Sequence, residues 1–421
     1  MTKYQAPRGM RDVLPPESER WQRVLARCRE FAHRYGYREI RTPVLEHTEV
    51  FLRGVGEGTD IVDKEMYTFT DRGGRSLTLR PEGTAAVMRA YIEHGLHTWP
   101  QPVKLYYIAE MFRYDRPQAG RYRQHTQFGA EILGSASPAA DVEVLALPIR
   151  ILQSLGLQEV RVHLNSVGDA ACRPSYVRRV REYFERFVDE LDEDSRRRLQ
   201  TNPLRIFDSK VERTREIAQD APKMLDYLCD ACRAHFEGVV RRFAWLGIPT
   251  EVDPFIVRGL DYYTRTAAEV FSGRLGAQNA VFGGGRYDGL AEALGGPPTP
   301  GVGFGLGIER LLLVLEQAGL MPEDTWRVEV YVASSGPRAE EEAFGLLDRL
   351  REVGFRAEGD LMGRSLSAQL RHAARLGAQH AVILEDAGLE RKEAVVRDLR
   401  TGVQRTVSLD RVVGALREGV G

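Results

Sequence analysis

Cysteine is scarce in this 421-residue sequence. Four residues, at positions 28, 172, 229 and 232, are too few and too scattered for a disulfide framework, which suits a reducing compartment. Lysine is scarce too, occurring only at positions 3, 64, 104, 210, 223 and 392, so nearly all of the 59 basic residues are arginine. Arginine favours bidentate phosphate binding. An excess charge of either sign is missing, because 60 acidic residues leave a formal net charge of −1. Net charge therefore identifies neither a nucleic-acid nor a membrane partner, and any RNA site must be local. No stretch approaches the roughly 18 apolar residues of a membrane span, and the start MTKYQAPRGMRDVLPPE lacks an apolar core of signal-peptide length. No membrane role and a cytoplasmic location are expected. A GxxxxGK[ST] phosphate loop is also absent. Cys229 and Cys232 form a lone CxxC; zinc would need a second pair and redox chemistry a thioredoxin-like setting, so no metal is assigned to protein side chains.

The length implies two or three domains, and 43% apolar content is ample to fill them. Residues 17–35 carry apolar positions at helical spacing, Gly36 is placed to end that helix, and residues 37–44 read as a strand before Pro43 interrupts. Strands are expected at 64–70 and 76–79 around a turn at 71–74, and a helix at 84–94. Two further strands, 103–112 and 124–132, are joined by a long polar loop. Such a pair implies an antiparallel sheet, unlike the β-α-β alternation of parallel nucleotide-binding folds. Between about 172 and 245 the text is charged and helical, as in an inserted domain, with a helix stop near Asn202-Pro203. Strands return at 250–257, 267–271 and 301–307, before a helix at 308–317 and a break at 318–322. From 328 onward, alternating strands and helices, a hairpin around Thr401-Gly402 and a last helix form a small α/β domain of mixed pairing.

Three constellations carry chemistry. Residues 255–265 place Arg258, Asp261, Tyr262 and Tyr263 between strand-like neighbours, where a core would want hydrocarbon, as in the floor of a polar pocket or an edge strand. The loop after Phe112 holds Arg113, Arg116, Arg121 and Arg123, four planar forks able to surround a polyanion or to sit solvated in a turn. Residues 301–310 alternate glycine with apolar residues and then open a helix with Glu309 and Arg310 in its first turn. Alternate glycines strip one strand face, either for a flat ligand or for tight sheet packing. The spacing is not the GxGxxG of dinucleotide folds.

Taken together, the helix and strand ending at Pro43, Phe112-Arg113 with its loop, and Gly303 to Arg310 resemble motifs 1, 2 and 3 of class II aminoacyl-tRNA synthetases; no HIGH or KMSKS element of the other class occurs. Within that class, Arg80-Pro81-Glu82-Gly83-Thr84, the run 258–263 and Gly283 to Leu290 resemble the histidine-specific motifs of the histidyl-tRNA synthetase family. The resemblance spans nearly the whole chain. It implies an α+β fold: a class II antiparallel sheet with flanking helices (1–165 and 246–325), a helical insertion (166–245) and a C-terminal α/β anticodon-binding domain (326–421). It also implies ATP-dependent ligation of L-histidine to tRNA(His) through histidyl-adenylate, ATP as substrate with Mg2+ on its phosphates, and a homodimer through motif 1.

By the same resemblance, Arg113 and Arg258 are the catalytic residues at the α-phosphate. Arg258 occupies the place where other class II enzymes use a metal ion. Arg121, Glu309 and Arg310 join Arg113 at ATP. Glu82, Gly83, Thr84 and Gln127 hold the amino-acid end of histidine, while Glu131, Tyr262 and Tyr263 face the imidazole. Arg116 and Gln118 approach the acceptor end of the tRNA. Where the family often has an aromatic residue to stack on adenine, this chain has His125; Asp261 receives no role. Two other readings are a catalytically silent, histidine-sensing relative, which typically loses the phosphate-binding arginines and the anticodon domain, and a class II synthetase for proline, glycine or threonine.

Overall fold

The computed structural model describes residues 4–56, 59, 61–256, 262–272, 280–323 and 326–418. Arg258 and Asp261 lie outside the described residues. The chain divides into two compact units, Met1–Glu323 and Asp324–Gly421.

The strands of the first unit are, in chain order, β1 (Arg38–Glu39), β2 (Leu45–His47), β3 (Tyr67–Thr70), β4 (Ser76–Leu79), β5 (Val103–Phe112), β6 (Gln124–Leu133), β7 (Val160–Ser166), β8 (Thr250–Val252), β9 (Thr264–Ser272), β10 (Ala280–Arg286) and β11 (Gly301–Gly307). Eight of them form one sheet in the order β1-β5-β6-β11-β10-β9-β7-β8. Its inner pairs are antiparallel and only the outermost pairs, β1 with β5 and β7 with β8, are parallel. The antiparallel sheet expected from the 103–112 and 124–132 pair is present. β2, β4 and β3 make a separate three-stranded sheet.

The helices are α1 (Glu17–Arg34), α2 (Thr48–Val55), α3 (Thr84–Glu93), α4 (Pro138–Ser154), α5 (Arg173–Glu185), α6 (Glu193–Thr201), α7 (Glu212–Gln219), α8 (Asp230–Trp245), α9 (Leu290–Ala293) and α10 (Ile308–Gln317). α1 buries Val24, Cys28 and Ala32, one residue per turn, and Gly36 ends it with a φ of 79°. α4 is apolar nearly all round, and it is accordingly the buried central helix behind the sheet, with Ser137 accepting from Ala139 N at 3.2 Å to cap it. Strand alternation assigns the faces. Tyr106, Phe128, Ala130, Ile132, Val302, Phe304 and Leu306 point to the core under α1, α4, α8 and α10. Leu105, Tyr107, Met111 and Leu133 point to the other side, where α3 and α9 cover part of the face and the rest stays open.

Three expectations need correction. The strand expected at 37–44 is reduced to Arg38–Glu39, because the buried Arg80 guanidinium takes the carbonyls of Thr42 (2.8 Å) and Pro43 (3.3 Å) that a ladder would have used. The strand expected at 64–70 begins only at Tyr67, after a wide helical turn at Ile61–Glu65. The strand expected to begin at 250 stops at Val252, where the Asp253 carboxylate accepts from Phe255 N at 3.0 Å and turns the chain.

The insertion has its own apolar core, running from Cys172 and Tyr176 through Leu204 and Ile206 to Cys232. Val239 and Phe243, further along α8, belong instead to the main core. The apolar border thus falls inside α8 rather than after it.

The second unit carries a five-stranded sheet in the order β13-β12-β14-β15-β16, with β12 (Val330–Ser335), β13 (Ala357–Gly359), β14 (His380–Glu385), β15 (Glu393–Asp398) and β16 (Gln404–Ser408). The first three are parallel and the last two antiparallel, the mixed pairing expected. The β15–β16 hairpin turns at Gly402, whose φ is 78°.

Candidate active site

The open sheet face holds two cavities that share Arg113, His125, Gly283, Gly305 and Gly307. The smaller, about 190 Å³, is lined by Glu82, Thr84, Gln127, Tyr262, Tyr263 and Tyr287 among others. The larger, about 940 Å³, is lined by Arg113, Arg121 and Arg310, with Glu65, Asp115 and Glu269 as its carboxylates.

The small cavity is built on sequence that a core would not tolerate. The Glu82 carboxylate lies just before α3 and accepts the amides of Thr84 (2.7 Å) and Ala85 (2.8 Å), so the exposed N–H groups of the first turn hold an anion in place. Burial pushes its pKa up and these bonds oppose the shift. Gly83 stands where any Cβ would enter the Tyr107 ring. Thr84 Oγ1 donates to Glu131 Oε1 at 2.8 Å; Tyr107 OH reaches the same oxygen at 3.5 Å and Tyr287 OH donates to Oε2. Glu131 is fully buried among these hydroxyls, and burial pushes its pKa up to about 8. It stands behind the cavity wall rather than on it. Tyr262 and Tyr263 pack at 4.9 Å between ring centroids, and Tyr262 meets Tyr287 edge-on at 5.6 Å.

The glycine alternation of β11 has a definite cause. A Cβ at 303 would overlap the Glu131 carboxylate, and one at 305 would overlap the Gln127 amide. The stripped face is thus filled by side chains from the paired strand β6: Gln127 lies against Gly305 and lines the cavity, while Glu131 packs against Gly303 behind its wall.

In the larger cleft, Arg113 Nε donates to Pro81 O at 2.7 Å, which fixes the guanidinium at the junction of the two cavities. Arg310 lies in the first turn of α10 and donates to Ala280 O at 2.8 Å; burial, and then Arg121, lower its pKa, with Glu269 opposing the shift. Arg121 sits on the loop between β5 and β6, closed by Gln118 N to Arg121 O (3.2 Å) and Arg121 N to Gln118 O (2.8 Å). Arg116 and Gln118 are exposed on this loop, outside both cavities. His125 lines both; burial, and then Arg113, push its pKa down to about 3, so it is neutral. Glu309 is buried, accepts Thr126 N at 2.7 Å and does not appear among the lining residues. Its carboxyl, pushed up to about 7 by burial, braces β6 against α10.

Sequence reasoning missed several members. Arg205, Lys210 and Arg215 reach the larger cleft from the insertion, and no pattern in that charged text singles them out. Glu269 and Tyr107 had a signal: each is a polar side chain on the cleft face of a strand whose other face is apolar. Arg286, in a motif read as histidine-specific, is wholly buried. It pairs with Asp141 of α4, which also meets His235 Nε2 of α8 at 3.1 Å, so this arginine ties β10 to the helical layer.

A family model for histidyl-tRNA synthetase matches residues 9–311, and one for an anticodon-binding domain matches residues 329–419. The histidine–tRNA ligase of Desulforudis audaxviator is 55% identical, covering 98% of both chains. That of Desulforamulus reducens is 52% identical, covering 97% of each. The structure of the apo histidyl-tRNA synthetase of S. aureus superposes with a TM-score of 0.83 at 40% identity, over 98% of this chain and 99% of that one. With family model, full-length relatives and fold in agreement, the chain belongs to the histidyl-tRNA synthetase family.

Proposed function

We propose that the chain activates L-histidine with ATP to histidyl-adenylate and transfers the histidyl group to the terminal ribose of tRNA(His). The observation that carries this reading is the pair of joined cavities: a small polar pocket opens through Arg113 into an arginine-lined cleft. A carboxylate in the first then faces an α-phosphate in the second. No protein nucleophile is needed, since the substrate carboxylate attacks phosphorus in line and pyrophosphate leaves; the protein positions the groups and stabilises developing charge.

Arg113 neutralises charge on the α-phosphate oxygens. Arg310 and Arg121 receive the outer phosphates, on which charge grows as pyrophosphate departs. Arg258, outside the described residues, keeps its assignment at the α-phosphate. Mg2+ enters with the nucleotide as part of the substrate; Glu65 and Glu269, hard oxygen donors on the cleft wall, suit it.

At the amino-acid end, Glu82, Thr84 and Gln127 meet the α-ammonium group, a carboxylate and neutral acceptors for a cation. Tyr262 and Tyr263 flank the imidazole, backed by the Glu131 hydroxyl network. Another amino acid would leave these polar groups unpaired, which gives discrimination on the order of 10⁴ without editing. Glu309 acts by bracing β6. Arg116 and Gln118, exposed on the loop, meet the tRNA acceptor end, and the second unit reads the anticodon. Two copies associate through the motif 1 region; beyond it in the chain, Val44, Leu45 and Phe69 are exposed apolar residues. The substrates place the reaction in the cytoplasm.

The test is amino-acid-dependent ATP–pyrophosphate exchange with a panel of amino acids. Exchange with histidine alone is expected, and Arg258→Ala should lower it by orders of magnitude. Exchange driven by proline, glycine or threonine, or none with any amino acid, would overturn the reading.

A further inference from the structure

The CxxC that sequence left alone acquires partners in the fold. Cys172 and Asp169, some sixty residues earlier in the chain, come together with Cys229 and Cys232, and the four ligand atoms all lie within 4.8 Å of one another. We propose that Asp169, Cys172, Cys229 and Cys232 bind one zinc ion, which fastens the helical insertion to the segment entering β9.

The spacing fits the ion. With Zn–S near 2.3 Å and Zn–O near 2.0 Å, a tetrahedron has S···S edges of about 3.8 Å and S···O edges of about 3.5 Å. The Cys172 and Cys232 sulfurs are 3.8 Å apart, and Cys172 Sγ lies 3.6 Å from Asp169 Oδ1. Three thiolates and a carboxylate make a closed, four-coordinate set of groups that each bind zinc.

The surroundings suit a charged centre. Cys172 and Cys229 are the N-cap residues of α5 and α8, so the positive ends of two helices of 13 and 16 residues face the sulfurs. Asp169 Oδ2 is held by Arg265 Nη2 at 3.2 Å and Nε at 3.4 Å, which orients the carboxylate and leaves Oδ1 toward the thiols. Arg265 is in the left-handed region, φ 51°, a conformation that a residue with a side chain adopts at a cost and that its neighbours must hold. Here its N–H donates to Gly168 O and its carbonyl accepts from Val167 N, both at 2.7 Å. Arg173, next to Cys172, donates to Tyr263 O at 3.0 Å. The cluster therefore lies where the insertion meets the backbone that carries the paired tyrosines.

The full-length protein, purified with reductant and without chelators, should contain about one zinc and no iron per chain by elemental analysis. Cobalt(II) added to the metal-free protein should give thiolate-to-metal charge-transfer absorption and the intense d–d bands of a tetrahedral site. Cys172→Ser and Cys229→Ser should each lower bound zinc at least about tenfold, a bound weaker than the loss of a direct ligand implies. Asp169→Asn should change the cobalt d–d envelope while keeping the charge-transfer band. Stripping zinc from the wild-type protein should speed amide exchange at residues 262–265. The proposal fails if folded, reduced wild-type protein holds no zinc and develops no cobalt–thiolate band. It fails equally if the cysteines are found as a disulfide in metal-free protein, or if Cys172→Ser keeps its full zinc.

Discussion

The two joined cavities solve opposite problems. The small one is lined or backed by side chains already held in place: Glu82 by helix amides, Thr84, Tyr107 and Tyr287 by Glu131, and Gln127 against Gly305. The large one collects more cations than carboxylates: Arg121 meets Asp115 at 3.5 Å, yet Arg310 and Arg121 remain close enough to lower the Arg310 pKa. One is preorganised on rigid strands for selectivity. The other draws on a loop, a helix start and the insertion, and its excess of positive charge suits the developing charge of the phosphates.

If this contrast is right, truncating a cleft arginine should damage chemistry far more than folding. Arg310→Ala is expected to lower histidine-dependent pyrophosphate exchange by about 10²–10³-fold, the usual loss for one transition-state charge partner. Its melting temperature should stay the same or rise, because a half-buried cation beside Arg121 has been removed. A variant that melts much earlier and exchanges normally would reverse the contrast.

In the small cavity the most direct lever is steric. Gly305→Ala would place a Cβ on the Gln127 amide, the movable end of a side chain, rather than on backbone. Displacing one bond to the substrate ammonium should cost about 1.5–3 kcal/mol, or roughly 10–150-fold in KM for histidine. KM for ATP should rise less, because the added Cβ meets Gln127 of the small cavity although Gly305 lines both. An equal rise for both substrates would show that the two cavities are not separable.

The Glu131 network offers a pH test. The carboxyl has an ordinary pKa of 4.5 and about 8 in the fold, raised by burial. The folded state therefore holds a proton that the unfolded state has lost. This contribution to stability is fully present below 4.5 and disappears as pH rises through about 8. His125 acts oppositely, stabilising above 6.5 and losing that contribution as pH falls toward 3, but both proteins in the comparison keep it. Between mildly acid and mildly alkaline pH, wild-type stability should thus fall relative to Glu131→Gln by at least about 1.4 kcal/mol, one pKa unit's worth, measured by urea unfolding. A constant difference would mean that Glu131 is ionised throughout.

How legible these features were depends on sequence separation. Strand pairs and helix ends came from local periodicity, and strand 301–307 and helix 308–317 match the described elements, because alternation and the turn into the helix are local signals. The arginines of the loop and of α10 stood out because solvated function needs no partner in the sequence. Glycines 303 and 305 were legible as a stripped face, but what fills it was not, since Glu131 and Gln127 arrive from another strand. Distance hid the Asp141–Arg286–His235 cluster and the meeting of Cys172 with Cys229 and Cys232. In both, each partner alone reads as an ordinary surface charge or buried thiol.

The smallest expected effect belongs to the loop between β5 and β6, which serves the cleft with one end and faces solvent with the other. Arg121 lines the larger cavity, whereas Arg116 is exposed outside it. An exposed arginine that meets a nucleic-acid phosphate through solvent is worth about 0.2–1 kcal/mol, so Arg116→Ala should raise KM for tRNA by a factor of about 1.4 to 5. The rise should grow smaller with added salt, as the contact in the wild-type protein is itself screened. Pyrophosphate exchange, which needs no tRNA, should respond to Arg121→Ala more strongly than to Arg116→Ala. If Arg116→Ala instead weakened exchange as much as Arg121→Ala does, the loop would act as one phosphate clamp, and its division between nucleotide and tRNA would be lost.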